Sequence, residues 1–320
     1  MHPYFEIKNL SVGFRTLEGD TRVLDIERIV INRGETYGLV GESGAGKTVL
    51  ALTILGLLPK PAGLIHSGEI WFDNQDLLKK TENELVRDYR GKRLAMIFQD
   101  PMSTLNPVFT VGQQIERVLE RHQKLHGEAL SQRIRELLDM VRLPDIDSTL
   151  RKYPHELSGG QRQRIIIAMA LSCGAEFLIA DEPTRNLDVT IQAGVLILIG
   201  ELQRELGISV LFIANNVGLV NVFCKNAGIL YRGKLVEDGL SNKVIHEAKH
   251  PYTQTLISAI PRDKSEKLKF AGIKQKPEAP LGCPFYARCM IGEEECTKQN
   301  PMLKPVKSGQ KVACFLAEKE

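Results

Sequence analysis

Residues 36–48 read TYGLVGESGAGKT, and they are followed directly by the apolar stretch VLALTIL. A short apolar run, a G-x-x-x-x-G-K-T loop and an apolar helix occur in the order a phosphate-binding loop requires. Gly41, Gly44 and Gly46 let the backbone wrap a phosphate chain with its amides turned inward, and Glu42, Ser43 and Ala45 complete the loop. Lys47 is placed to reach the outer phosphates, and Thr48 can offer its hydroxyl to magnesium. The helix N-terminus that opens here favours an anion. The bland alternative, a glycine-rich turn, does not account for the strand before it and the helix after it.

Three more runs resemble TYGLVG: RLAMIFQ (93–99), EFLIADE (176–182) and VLFIANN (210–216). Each is short, continuously apolar and polar at its end, as parallel strands buried on both faces are. In open α/β sheets ligands sit at the carboxyl ends of such strands, so the four polar ends are expected to share one site. YFEIKNLSVGF (4–14) alternates loosely and reads as a strand with one solvated face. SGEIWFDNQDL (67–77) is similar, with Asp73-Asn74 as its turn, and an antiparallel subsheet is expected. Residues 108–156 read as helical. Ile115, Val118 and Leu119 form one stripe, and Ile134, Leu137, Leu138 and Val141 another.

EFLIADE supplies acids. Asp181 ends its strand and suits magnesium through water, and Glu182 can accept a proton from an attacking water. Gln99 can contact magnesium or that water. LSGGQRQR (157–164) places Ser158, Gly159 and Gly160 before a helix, a second anion-binding N-terminus in one chain.

With that stretch the chain resembles the nucleotide-binding subunits of ATP-binding-cassette (ABC) transporters. The order of phosphate loop, Gln99, Leu157-Ser158-Gly159-Gly160-Gln161, Asp181-Glu182 and Asn186-Leu187-Asp188 matches that family over about residues 4–245. The resemblance implies an α/β P-loop NTPase cassette with a RecA-like, mostly parallel sheet, an antiparallel β subdomain and a helical insertion near 101–160. It implies ATP and magnesium, with Thr48, Gln99 and Asp181 toward the metal and Glu182 as catalytic base. It also implies head-to-tail pairing, in which one subunit's LSGGQ closes over the ATP of the other.

Composition shifts near residue 250, which divides a 1–249 ATP-binding domain from a 250–320 extension. HPYTQTLISAIP (250–261) and a cysteine-bearing tail resemble the dipeptide/oligopeptide importer ATPases. The tail spacing is Cys283-x5-Cys289-x6-Cys296-x17-Cys314. That is too wide for zinc knuckles and suits an iron–sulfur cluster on four thiolates, and the family's tail implies a [4Fe–4S] centre. A four-thiolate zinc site and free thiols are the alternatives. Cys173 and Cys224 stand singly in apolar contexts and read as small core residues.

Three positions depart from the family pattern. Aligning LFIANNVGLV (211–220) puts Asn215 where a histidine contacts the γ-phosphate; Asn cannot carry charge or titrate near neutrality. ATP binding is expected to survive and hydrolysis at this chain's own site to be impaired. Asn186 stands where a small residue is usual, and Thr21 where an aromatic residue often stacks on adenine, with only Phe14 nearby. The expected pairing is therefore with a different ATPase subunit, one composite site being degenerate.

Net charge is +3, too small to argue for nucleic acid. No apolar run approaches the ~18 residues that span a bilayer. The expected setting is peripheral, on the cytoplasmic face of the membrane. The expected partners are a second ATPase, two permease subunits and, indirectly, an extracytoplasmic substrate-binding protein. A soluble DNA-repair or translation ATPase fits less well, lacking a second cassette, coiled coil or basic arm. A pseudo-ATPase that senses nucleotide, and nickel or sugar as cargo in place of peptide, remain open.

Overall fold

The computed structural model describes residues 3–100, 104–259 and 276–317. In chain order its principal strands are β1 (Phe5–Thr16), β2 (Gly19–Ile31), β3 (Thr36–Val40), β4 (Gly63–Phe72), β5 (Gln75–Asp76), β6 (Leu94–Ile97), β7 (Phe177–Asp181), β8 (Ser209–Ala214), β9 (Asn226–Tyr231), β10 (Lys234–Leu240), β11 (Lys304–Pro305) and β12 (Lys311–Val312). Its principal helices are α1 (Lys47–Ile54), α2 (Val111–Gln123), α3 (Gly127–Met140), α4 (Ile146–Arg151), α5 (Gly159–Leu171), α6 (Val189–Leu206), α7 (Val217–Phe223), α8 (Ser241–His246) and α9 (Pro251–Ser258). The chain forms two compact units: Met1–Ile31 with Thr36–Leu78 and Phe212–Glu320, and Asn32–Glu35 with Lys79–Leu211. Strand β8 begins in the second unit and ends in the first.

In the first unit, an antiparallel sheet runs in the order β2-β1-β4-β5. Asp73 and Asn74 join β4 to β5 with φ of 47° and 60°, the left-handed pair a two-residue hairpin needs. The expected subsheet is present, but the first strand is not simply half-solvated. Glu6 is 1% exposed, and its carboxylate accepts from Arg28 Nε at 2.8 Å and pairs with Lys8 at 3.1 Å. Those cations let an acid sit beside Phe5 and Ile7, which are fully buried.

The same unit carries the order β11-β12-β10-β9-β3, joined on the β3 side by the end of β8. β3 pairs in parallel with β9, and Leu39 and Val40 are fully buried. β10 runs antiparallel to β9, and β12 antiparallel to β10, so the tail adds strands to this sheet. α9 and the cysteine tail both lie inside the first unit.

In the second unit β6 and β7 are parallel, Leu94 opposite Phe177 and Ile97 opposite Ala180. The helices between them follow the two stripes: Ile115, Leu119, Leu137, Leu138 and Val141 are fully buried and Ile134 is 3% exposed, while Val118 is only half-buried. Thr110 and Gln113 close α2 with a reciprocal capping box. Pro101, Met102 and Ser103 of the insertion lie outside the described residues. Among the described residues no helix is long and apolar enough to cross a membrane.

One buried acid ties the tail to the first unit. Glu237, on β10, is fully buried. It accepts from the Lys249 amide at 2.9 Å, the His250 amide at 3.0 Å and Gln310 Nε2 at 3.1 Å. Burial pushes its carboxyl pKa up, and the two backbone amides oppose that rise. Glu237→Ala would leave two buried donors and one part-buried donor without this acceptor. The expected cost is about 3 kcal/mol, read as a lowered urea midpoint with an unchanged slope.

Candidate functional site

In the first unit the loop Gly41–Thr48 is shaped by its glycines. Gly44 and Gly46 have φ of 81° and 105°, and a Cβ on Gly41 would come within 2.3 Å of the Leu230 carbonyl oxygen. The loop is thus a cradle of bare backbone, which fits a phosphate chain. Lys47 is 5% exposed. Its ammonium donates to the Gly41 and Glu42 carbonyls at 2.8 and 3.0 Å, and to Asn215 Oδ1 at 2.7 Å. Thr48 is exposed on the first turn of α1. The two amides ending β8 thus separate: Asn215 meets Lys47, while Asn216 caps α7 by accepting from the Gly218 amide at 2.8 Å. Thr21 lies directly across from Phe14 in the β1–β2 ladder.

Glu42 has partners that the sequence did not announce. Its amide donates to the Tyr252 hydroxyl at 3.0 Å, and its carboxylate receives both Arg288 guanidinium nitrogens at 2.8 and 2.9 Å. HPYTQTLISAIP marked a family; that its tyrosine touches the Gly41–Thr48 loop depends on tertiary placement no local signal carries.

In the second unit Asp181 is 1% exposed at the end of β7. Glu182 follows with φ of 46°, an uncommon conformation for a side chain of this kind. Gln99 Nε2 donates to its Oε2 at 2.9 Å, and Arg185 to the same oxygen at 3.3 Å. Arg185 was not expected from sequence. The polar strand ends thus meet within each unit, Gln99 with Glu182 and Asn215 with Lys47 of the loop after β3.

Ser158 caps α5: its hydroxyl accepts from the Gln161 amide at 3.3 Å, and Gln161 Oε1 accepts from the Ser158 amide at 3.0 Å. Leu157 is 4% exposed, and its carbonyl accepts from the Arg162 guanidinium at 3.0 Å. A Cβ on Gly159 would meet Leu187 at 3.1 Å, and one on Gly160 would meet Ile191 at 2.8 Å. Gly159 thus packs against Leu187 of the Asn186-Leu187-Asp188 segment, and Gly160 against Ile191 on α6. Asp188 caps α6 by accepting from the Ile191 amide at 3.0 Å. Asn186 has φ of 63°, a left-handed pose that asparagine tolerates far better than most side chains, which gives this departure a backbone reason.

The four tail cysteines line one apolar cavity with Phe285, Pro301, Phe315 and Leu316. Backbone amides of Phe285, Ile291 and Leu316 hydrogen-bond to Cys283, Cys289 and Cys314. Burial, and the nearness of the other thiols, pushes Cys283 up to about 11. Among the described residues no group of three or more His, Cys, Asp or Glu is gathered closely enough to hold a metal ion. Cys224 is buried as expected; Cys173 is only half-buried, against Ser172, and is not a core residue.

Two family models match this chain. ABC transporter covers residues 25–185, and the oligopeptide/dipeptide transporter C-terminal region covers residues 236–296. The Dipeptide transport ATP-binding protein DppD of Bacillus subtilis (strain 168) is 38% identical over 99% of this chain and 96% of its own length. The chain belongs to the ABC transporter ATP-binding subunits of the dipeptide/oligopeptide importer family. The Oligopeptide transport ATP-binding protein AppD of the same organism is 40% identical over 100% of this chain and 98% of its own. Among solved structures, a dimeric post-hydrolysis state of the ATP-binding cassette MJ0796 bound to ADP and Pi superposes with a TM-score of 0.66 at 25% identity, covering 74% of this chain and 98% of that one. The fold of this importer subunit is the ABC cassette, and its activity is ATP hydrolysis.

The Asn186 backbone makes a direct expectation. Asn186→Gly should leave stability within about 0.5 kcal/mol, and Asn186→Val should cost about 1–2 kcal/mol, both read by urea unfolding.

Proposed function

We propose that this chain is the ATP-hydrolysing subunit that drives peptide uptake through a membrane complex. The observation that carries the reading is one chain matching both the ABC transporter model and the oligopeptide/dipeptide C-terminal model. In this reading residues 1–249 form the ATP-binding part and residues from 250 the extension. Gly41–Thr48 holds the phosphates, and Thr48, Gln99 and Asp181 share magnesium. Glu182 takes the proton of the attacking water, held in place by Gln99 and Arg185. Leu157–Gln161 closes over the ATP of a second ATPase subunit. Two permease subunits and an extracytoplasmic binding protein complete the assembly, with this chain peripheral on the cytoplasmic face of the membrane. Uptake by the reconstituted complex, with di- and oligopeptides set against nickel and sugars, tests the cargo; import of nickel or a sugar alone would overturn it.

A reduced local activity is favoured by one contact, the Lys47–Asn215 hydrogen bond. The side chain in the histidine's place is a neutral amide whose oxygen faces the lysine. It can orient by hydrogen bonding but cannot supply charge to the γ-phosphate. Asn215→His in the complete membrane complex is therefore expected to raise ATP turnover several-fold. Unchanged turnover would mean that Asn215 does not limit the cycle.

The tail cysteines are proposed to hold a [4Fe–4S] cluster. The support is the donor set, four thiols on one apolar cavity, with backbone amides directed at three of the sulfurs. A single zinc ion draws its thiolates to ~2.3 Å from one point. A [4Fe–4S] cluster is held by four cysteine thiolates, the number that lines this cavity. Such a group ties the chain together at Cys283, Cys289, Cys296 and Cys314. The chain purified without oxygen should contain about four iron and four acid-labile sulfide per molecule; one zinc and no sulfide would replace the cluster with a zinc site.

A further inference from the structure

The phosphate loop of this chain contains an acid. Glu42 follows Gly41 directly, five residues before Lys47. A free carboxylate there would repel a polyphosphate lying on the same loop. It is not free, because Arg288 of the tail grips it with two parallel hydrogen bonds at 2.8 and 2.9 Å. The geometry is the planar fork that suits arginine and not lysine. Arg288 is itself fixed, its guanidinium lying 5.8 Å from the Tyr231 ring centre and 5.6 Å from that of Phe285. Those rings pack on Tyr252 at 4.5 and 5.4 Å, and the Tyr252 hydroxyl accepts the Glu42 amide. One loop residue is thus held by side chain and backbone from two tail segments, α9 and the turn Tyr286–Arg288.

We propose that Arg288 is a positioning residue of the nucleotide site, which cancels the charge of Glu42 and holds the loop open to phosphate, so that the cysteine tail sets this chain's affinity for nucleotide. The inference rests on the reading of Gly41–Thr48 as the nucleotide loop. The pair is partly solvated, with Arg288 25% and Glu42 42% exposed, so the effect is expected to be moderate and sensitive to salt.

The test is equilibrium binding of trinitrophenyl-ATP with magnesium to the full chain, with melting temperature recorded for each variant. Arg288→Gln should weaken binding about three- to tenfold, the range of a moderate electrostatic contact. The deficit should shrink as salt rises from about 0.05 to 0.5 M, where the screening length falls severalfold. Glu42→Gln added to Arg288→Gln should bring affinity back to within about twofold of the natural chain, because the unpaired charge is then gone. A merely structural role predicts neither the salt dependence nor the rescue. Unchanged binding by Arg288→Gln, or a loss that Glu42→Gln does not reverse, would overturn the proposal. Lys47→Ala is the control: it should abolish binding. If it does not, the loop reading fails and the proposal with it; if it does and the Arg288 variants bind normally, only the tail's role is refuted.

Discussion

A buried ammonium organises the first unit. Lys47 sits at 5% exposure with two loop carbonyls and the Asn215 oxygen as acceptors. An ammonium without such acceptors could not remain charged out of water. The loop must therefore turn its Gly41 and Glu42 carbonyls toward the lysine, which only the permissive backbone at Gly44 and Gly46 allows. The same turn fixes where Glu42 points, and hence where the tail must come to meet it. The local geometry of loop, strand end and tail follows from keeping one cation solvated by protein.

The second unit has its own constraint, a glutamate in a left-handed pose. Glu182 keeps φ of 46° while Gln99 and Arg185 hold its carboxylate. Backbone strain of this kind persists only where neighbours over-determine it. Here they are a side chain just past the end of the neighbouring strand and one from the loop that follows. Asn186 adds a second left-handed residue four positions later, in the Glu182–Asp188 segment whose Leu187 packs on Gly159.

Much of this could be read from the chain itself. The loop, the Asp181-Glu182 strand end and the Ser158-Gly159-Gly160 helix start stand on local patterns, and the structure has there a glycine-shaped turn, a buried acid and a capped helix. The buried strands and the two helical stripes were equally legible, because hydrophobic periodicity reports burial directly. What escaped was long-range. Nothing near Tyr252 or Arg288 says that the loop at Glu42 is their partner, and residues 42 and 288 are 246 positions apart. The burial of Glu6 on a strand read as half-solvated was not legible either, because Arg28 comes from the neighbouring strand. Nor does any local signal announce that Glu237 and β12 draw residues after 250 into the earlier sheet.

That anchoring changes what the C-terminal segment is in physical terms. Gln310 donates to Glu237, β12 pairs with β10, and Phe285 packs on Tyr231, all without help from the peptide bonds between residues 259 and 276. The segment behaves as a ligand covalently tethered to its own receptor. The contacts themselves decide whether it stays. A single cleavage in the connecting stretch would convert the tether into a bimolecular equilibrium, leaving a two-chain protein whose cohesion depends on dilution.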